Sequence, residues 1–222
     1  GSSLLKNPEL AEEIVRATVE STPLPVSVKM RIGISSYDEM YFFDFARRME
    51  QAGAKLLTVH GRTSKQMYGG EADWTPIYTL KKILKISVIG NGDIRGSGNI
   101  LNKIGNLDGI MVGRGSFGNP WVFQEILAAF ENSPYTPPTF AEKISVMMHH
   151  LDLACAFKNE KWGTLEMRKQ FAWYIRGIPH ASDLRQKLVT ASSRQEVISI
   201  YNEWVSDSLE LLKDHGKCSS RE

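Results

Sequence analysis

Four short apolar runs, each preceded by a helical segment and each running into a polar or glycine-rich turn, constrain this chain more than any other feature. They are Pro25–Ile32, Leu56–His60, Ile86–Ile89 and Asp108–Val112, at intervals of about 25–30 residues. Adjacent parallel strands need a helical crossover, whereas antiparallel strands need only a turn, so this rhythm predicts a parallel sheet. The helices expected between the strands lie near residues 8–20, 38–52, 75–85 and 97–105. In the first, Pro8 suits an opening turn, and Leu10, Ile14 and Ala17 share one face. In the second, Asp38 is placed to cap and Gly53 to stop.

Two architectures carry such a rhythm: part of a (β/α)8 barrel or an open doubly wound sheet. A whole barrel needs about 250 residues, and residues 1–131 supply four units. After them, residues 132–139 hold three prolines and read as a linker. From 140 to about 215 the pattern is helical, with candidates at 140–157, 163–177, 181–189 and 193–214, the last opened by a capping box of Ser193 and Glu196. The expected organisation is therefore an α/β unit over 1–131 followed by an all-α bundle over 140–222.

Composition narrows the classes. No segment approaches the roughly 20 apolar residues of a membrane span, and two cysteines, Cys155 and Cys218, give neither a disulfide framework nor metal-ligand spacing. A reducing, cytoplasmic setting is the default, with no membrane and no metal expected. Net charge is +2, but its distribution is uneven. Residues 158–187 hold Lys158, Lys161, Arg168, Lys169, Arg176, Arg185 and Lys187 against Glu160, Glu166 and Asp183, a local excess of four positive charges. Such a stretch reads as a solvated helical face or as a surface for a polyanion.

In parallel α/β proteins ligands bind beyond the C-terminal ends of the strands. Those positions hold Lys29 and Arg31, then His60 and Arg62, then Asn91 and Asp93, then Gly113 and Arg114. Gly90-Asn-Gly92 and Gly113-Arg-Gly115 would let backbone N–H groups approach an anion, each leading into a helix N-terminus. With Arg114 beside them, a phosphorylated ligand is expected. No nucleophile stands at these strand ends, and both cysteines lie elsewhere.

These residues also carry a family likeness. Val28-Lys-Met-Arg31 with Gly33, Val59-His-Gly-Arg62 with Thr63, Gln66, Tyr68 and Gly70, Ala72-Asp-Trp74, Val88-Ile-Gly-Asn-Gly-Asp-Ile94, and Gly109-Ile-Met-Val-Gly-Arg-Gly115 with Gly118-Asn-Pro-Trp121 resemble the tRNA-dihydrouridine synthases. A looser match continues through Met167-Arg-Lys and Trp173-Tyr-Ile-Arg-Gly. The resemblance implies the C-terminal half of a (β/α)8 barrel and an FMN-dependent reduction of uridine in tRNA, with NADPH as reductant. It implies flavin contacts from Lys29, His60, Asn91, Gly92, Asp93, Gly113 and Arg114. It implies tRNA contacts from Arg31, Arg62, Gln66 and Tyr68, and from Lys161, Arg168, Lys169 and Arg176, while Trp173 and Tyr174 pack the bundle.

The family's proton-donating cysteine sits in an Asn-x-Gly-Cys-Pro motif that has no match here. The chain is thus expected to be a part that contributes no catalytic residue of its own. It would be inactive alone, and would pair with a cysteine-bearing half-barrel or a swapped copy of itself. The weighed alternatives are another FMN-dependent barrel oxidoreductase acting on a small pyrimidine, and a non-catalytic RNA-binding chain.

Overall fold

A computed structural model describes residues 2–98, 100–178 and 181–218, with side chains through Ser206. The chain divides into two compact units: Gly1–Ser116 with Val122–Tyr135, and Phe117–Trp121 with Thr136–Glu222.

The first unit is built on four strands, β1 (Ser27–Gly33), β2 (Leu56–Thr63), β3 (Ser87–Asn91) and β4 (Gly109–Met111). All pair in parallel, in the order β1-β2-β3-β4 with no reversal. Between and around them lie α1 (Pro8–Ser21), α2 (Glu39–Gln51), α3 (Thr75–Ile83), α4 (Ile100–Ile104) and α5 (Val122–Glu131). Alternation along the strands separates two faces. Met30, Ile32, Leu57, Val59 and Val88 are buried against Phe42, Phe45, Ala46, Met49, Ile77, Leu80, Val122 and Ile126 from the helices. The other face carries Lys29, Arg31, Thr58, His60 and Asn91.

Helix signals held where chemistry was local. The Asp38 carboxylate accepts the Tyr41 N–H at 2.9 Å, and Gly53, at φ +103°, ends the turn after α2. The expected face of α1 was wrong: Ala11 and Val15 are buried, while Leu10 and Ile14 are exposed. The helix docks through its smaller residues, where close approach is possible. β2 and β3 run past their expected ends, so Gly61, Gly90 and Asn91 are strand residues.

The second unit holds α6 (Phe140–Lys158), α7 (Glu160–Tyr174), α8 (Ser182–Leu188) and α9 (Arg194–Cys218). A capping box of Thr139 and Glu142 opens α6. The box expected of Ser193 and Glu196 is altered: Ser193 accepts the Glu196 N–H, but the Glu196 carboxylate reaches back to Ser192. α7 starts three residues earlier than expected because Asn159 alone joins it to α6. Its φ of +86° turns the chain, and its side chain caps the Trp162 N–H. A Cβ on Gly163 would lie 2.6 Å from the backbone of Ala154 and Cys155, so α6 and α7 cross at glycine distance. Ile144, Met147, Leu151, Met167, Phe171, Tyr174, Leu184, Leu188 and Val197 form the core. Trp173 is not among them, contrary to expectation.

Phe171 is fully buried in that core. Phe171→Ala should destabilise the second unit by about 3–5 kcal/mol, through lost apolar burial and the cavity left behind. Urea unfolding followed by the helical circular dichroism signal measures it.

Candidate functional site

Strand register gathers the polar residues. Arg31 stands level with His60, His60 with Asn91, and Asn91 with Met111, at the C-terminal ends of β1 to β4. Two residues lower, Lys29 is level with Thr58 and Ile89. Because the strands are parallel and side chains alternate, a single row of the sheet presents a guanidinium, an imidazole and an amide together.

The two arginines nearest this row hold the β2–α3 loop in place. Arg31 Nη1 donates to the carbonyls of Thr63 at 2.8 Å and Met67 at 3.2 Å. Arg62 is only 1% exposed. Its Nε donates to Gly69 O at 3.2 Å, and its Nη2 donates to Gly70 O at 2.6 Å and to Asp93 Oδ2 at 2.7 Å. The same Asp93 oxygen accepts the Ala72 N–H at 2.8 Å. Gln66 closes the loop internally, its Oε1 taking the Thr63 N–H at 2.7 Å. Beyond this frame Tyr68 is 57% exposed, with the Arg114 guanidinium 4.1 Å from its ring centre. Arg114 Nη2 also lies 3.4 Å from Asp93 Oδ1.

The electrostatics follow from this crowding of cations. Burial first, then the positive charges of Arg31, Lys29 and Arg62, lower the His60 pKa to about 4. The ring is therefore neutral near pH 7, and its Nε2, 3.4 Å from Arg62 Nη1, is the acceptor side. Burial alone would raise the Asp93 pKa. Hydrogen bonds from Arg62 and the Ala72 amide, with the charges of Arg62 and Lys103, outweigh it and hold the carboxyl below its ordinary value. Lys29 is pulled below the usual ammonium range by partial burial and by Arg31. Lys29, Arg31, Arg62 and Arg114 thus face one carboxylate and a neutral imidazole, an environment suited to an anion.

The glycines divide by purpose. A Cβ on Gly90 would lie 2.2 Å from the Trp74 ring, and one on Gly92, at φ +132°, would lie 2.5 Å from Ala72 and 3.2 Å from His60. These two are small so that the protein can pack. At Gly113 an added Cβ would meet nothing within 4 Å, so that backbone is open to a ligand. Neither turn opens a full helix as expected. Asp93, at φ +56°, bends the chain away and α4 begins only at Ile100, while Gly113 leads into one 3-10 turn, Arg114–Ser116. Asn91 Nδ2 donates across the sheet to Met111 O at 2.7 Å.

In the second unit Lys161, Lys169 and Arg176 are exposed. Arg168 instead donates to Ala191 O at 2.8 Å and Thr190 O at 2.7 Å, closing the C-terminal end of α8. Sequence reasoning missed the Tyr68–Arg114 pairing, which joins residues far apart in the chain and leaves no local signal. Among the described residues, no group of three or more His, Cys, Asp or Glu side chains could hold a metal ion. No described helix is long and apolar enough to cross a membrane.

Comparison with known proteins gives a consistent result. The family model described as dihydrouridine synthase (Dus) matches residues 1–210. A probable tRNA-dihydrouridine synthase 1 of Synechocystis sp. is 39% identical over 210 residues, covering 93% of this chain and 58% of the relative. A probable tRNA-dihydrouridine synthase of Mycobacterium tuberculosis is 40% identical over 193 residues, covering 85% and 49%. The tRNA-dihydrouridine synthase B of Pasteurella multocida is 36% identical over 189 residues, covering 84% and 57%. The chain spans about half the length of these relatives.

The lowered pKa of His60 has a consequence for stability. Below the unfolded value of 6.5 the unfolded chain takes up a proton that the folded chain refuses until about pH 4. Stability contributed by the neutral ring is thus full above pH 6.5 and falls between 6.5 and 4. Asp93 acts in a lower window, its contribution present above 3.8 and lost as pH falls through its depressed folded value. Melting temperatures from pH 8 to pH 4 should decline below 6.5 in the parent and decline less in His60→Gln.

Proposed function

The chain belongs to the dihydrouridine synthase family, and from that premise we propose that it serves the FMN-dependent reduction of tRNA uridine to 5,6-dihydrouridine, with NADPH as reductant. The observation that carries this reading is the cationic strand-end row beside an open glycine backbone. The partly exposed Arg114 guanidinium beside the unobstructed Gly113 backbone, in the positive field of Lys29, Arg31 and Arg62, fits the phosphate of a flavin mononucleotide. Bound and reduced, the flavin supplies the hydride for the C5–C6 double bond.

In this reading Arg114, the Gly113 backbone and the Gly92 turn meet the phosphate, and Asn91 meets the ribityl chain. Asp93 acts one step back, holding Arg62 and Ala72 rather than an anion that it would repel. His60 is neutral and lines the cofactor as an acceptor or a packing wall. Lys29 would lie against the flavin ring, where its positive charge would favour the reduced cofactor. Arg31 and Arg62 shape the loop whose Gln66 and Tyr68 segment would meet the uridine and its neighbours. Lys161, Lys169 and Arg176 would contact tRNA phosphates. Arg168, engaged with the Thr190 and Ala191 carbonyls just beyond α8, supports the bundle instead. Protonation of the second carbon is assigned to no residue here: Cys155 lies in α6, its Sγ 3.7 Å from Glu160 O.

The same premise extends to architecture. Residues 1–131 would be four units of a (β/α)8 barrel, a reading supported by the unreversed strand order, since doubly wound sheets reverse at a switch point. The remaining strands would come from a cysteine-bearing half-barrel or from a second copy.

Titration of the chain with FMN, read by quenching of flavin fluorescence, tests the cofactor site. Saturable binding is expected, with inorganic phosphate as a weak competitor. Arg114→Ala should weaken it by roughly 10- to 100-fold, the worth of a hydrogen bond to a charged group. No saturable binding, or an Arg114→Ala variant that binds like the parent, would count against the assignment.

A further inference from the structure

α7 is two-faced. Gly163, Thr164, Met167, Phe171 and Tyr174 are buried. On the opposite side lie Trp162, Glu166, Lys169 and Trp173, followed just past the helix end by Arg176, in steps of three or four residues. Trp162 is 56% exposed and Trp173 is 36% exposed. Eleven residues of helix separate the two indoles by about 16 Å along one stripe.

Each indole has a cation beside it. Lys161 Nζ lies 5.9 Å from the Trp162 ring, and Arg176 Cζ lies 5.6 Å from the Trp173 ring. Phe117 meets Trp173 edge-on at 5.9 Å and is itself exposed. Gly118 makes that contact possible: at φ +62°, its missing Cβ would fall 2.4 Å from the backbone of Trp173 and Tyr174. The carboxylate of Glu166 is held by Lys158 Nζ at 2.6 and 2.7 Å. The stripe is therefore aromatic and positive, with its one acidic side chain neutralised.

We propose that the outer face of α7, with Phe117, is a stacking surface for unpaired bases of RNA. The inference rests on the tRNA reading above and extends it from phosphate contacts to base contacts. Every base offers a π-face to an indole, and the flanking Lys161, Lys169 and Arg176 suit the backbone between stacked bases. A second copy of the chain fits less well, because a two-fold contact would set these cations against each other.

Binding of a fluorescein-labelled, unmodified tRNA, followed by anisotropy, tests the surface against a blunt RNA duplex of similar length. Trp173→Ala and Trp162→Ala should each weaken tRNA binding by about 5- to 100-fold. Duplex binding and the slope of log affinity against log salt should stay unchanged. Trp173→Phe should recover most of the loss, and Lys169→Gln should lower the salt slope for both RNAs. Circular dichroism melting of each variant separates lost stacking from lost folding. Tight tRNA binding by the parent and both alanine variants alike would overturn the stripe and leave the tRNA reading intact. Absence of tRNA binding by the parent would overturn both. Self-association abolished by the alanine variants would make this face an interface between copies and overturn the proposal.

Discussion

One buried guanidinium organises the strand ends. Arg62 reaches from β2 to two loop carbonyls and to Asp93 beyond β3, and Asp93 in turn takes the Ala72 N–H. Remove that cation and the loop from Ser64 to Asp73 loses two of its anchors, while Asp93 is left without its strongest partner. A buried ion pair adds little net stability over an apolar replacement, since desolvation offsets attraction. Its effect is to fix one geometry for the loop that carries Tyr68, with Arg114 over its ring, beside a His60 kept neutral first by burial and then by its positive neighbours.

This frame also sorts the basic residues. Arg31, Arg62 and Arg168 spend their donors on main-chain carbonyls, which suits a planar fork with five N–H groups. Lys29, Arg114, Lys161, Lys169 and Arg176 keep their charges at or near the surface. A sequence lists both kinds as the same letters. Only long-range contacts distinguish a cation that holds a loop from one that can meet an anion.

The legible parts of the chain were therefore the local ones. Four strands, the caps at Asp38 and Gly53, and the helical run after Thr139 followed from periodicity and turn chemistry. The strand-end set was legible because parallel strands with alternating side chains must present Arg31, His60 and Asn91 on one row. What could not be read was packing. Ala11 and Val15 rather than Leu10 and Ile14 face the core, a choice between two apolar stripes of one helix that periodicity alone does not make. The glycine turns at Gly90 and Gly92 gave no sign that an added Cβ there would strike Trp74, Ala72 and His60. Trp173, which the family likeness implied would pack the bundle, faces outward.

That last misreading follows from the join between α6 and α7. A single left-handed residue, Asn159, reverses the chain, and the glycine-tight crossing at Gly163 fixes the rotation of α7 about its own axis. Once that rotation is set, Met167, Phe171 and Tyr174 must point inward, and Trp162, Lys169 and Trp173 must point out. Filling the crossing with a larger side chain would push α7 away from α6 and turn its stripe relative to the bundle. A glycine between two helices thus decides which aromatic residues pack the unit and which are presented to solvent.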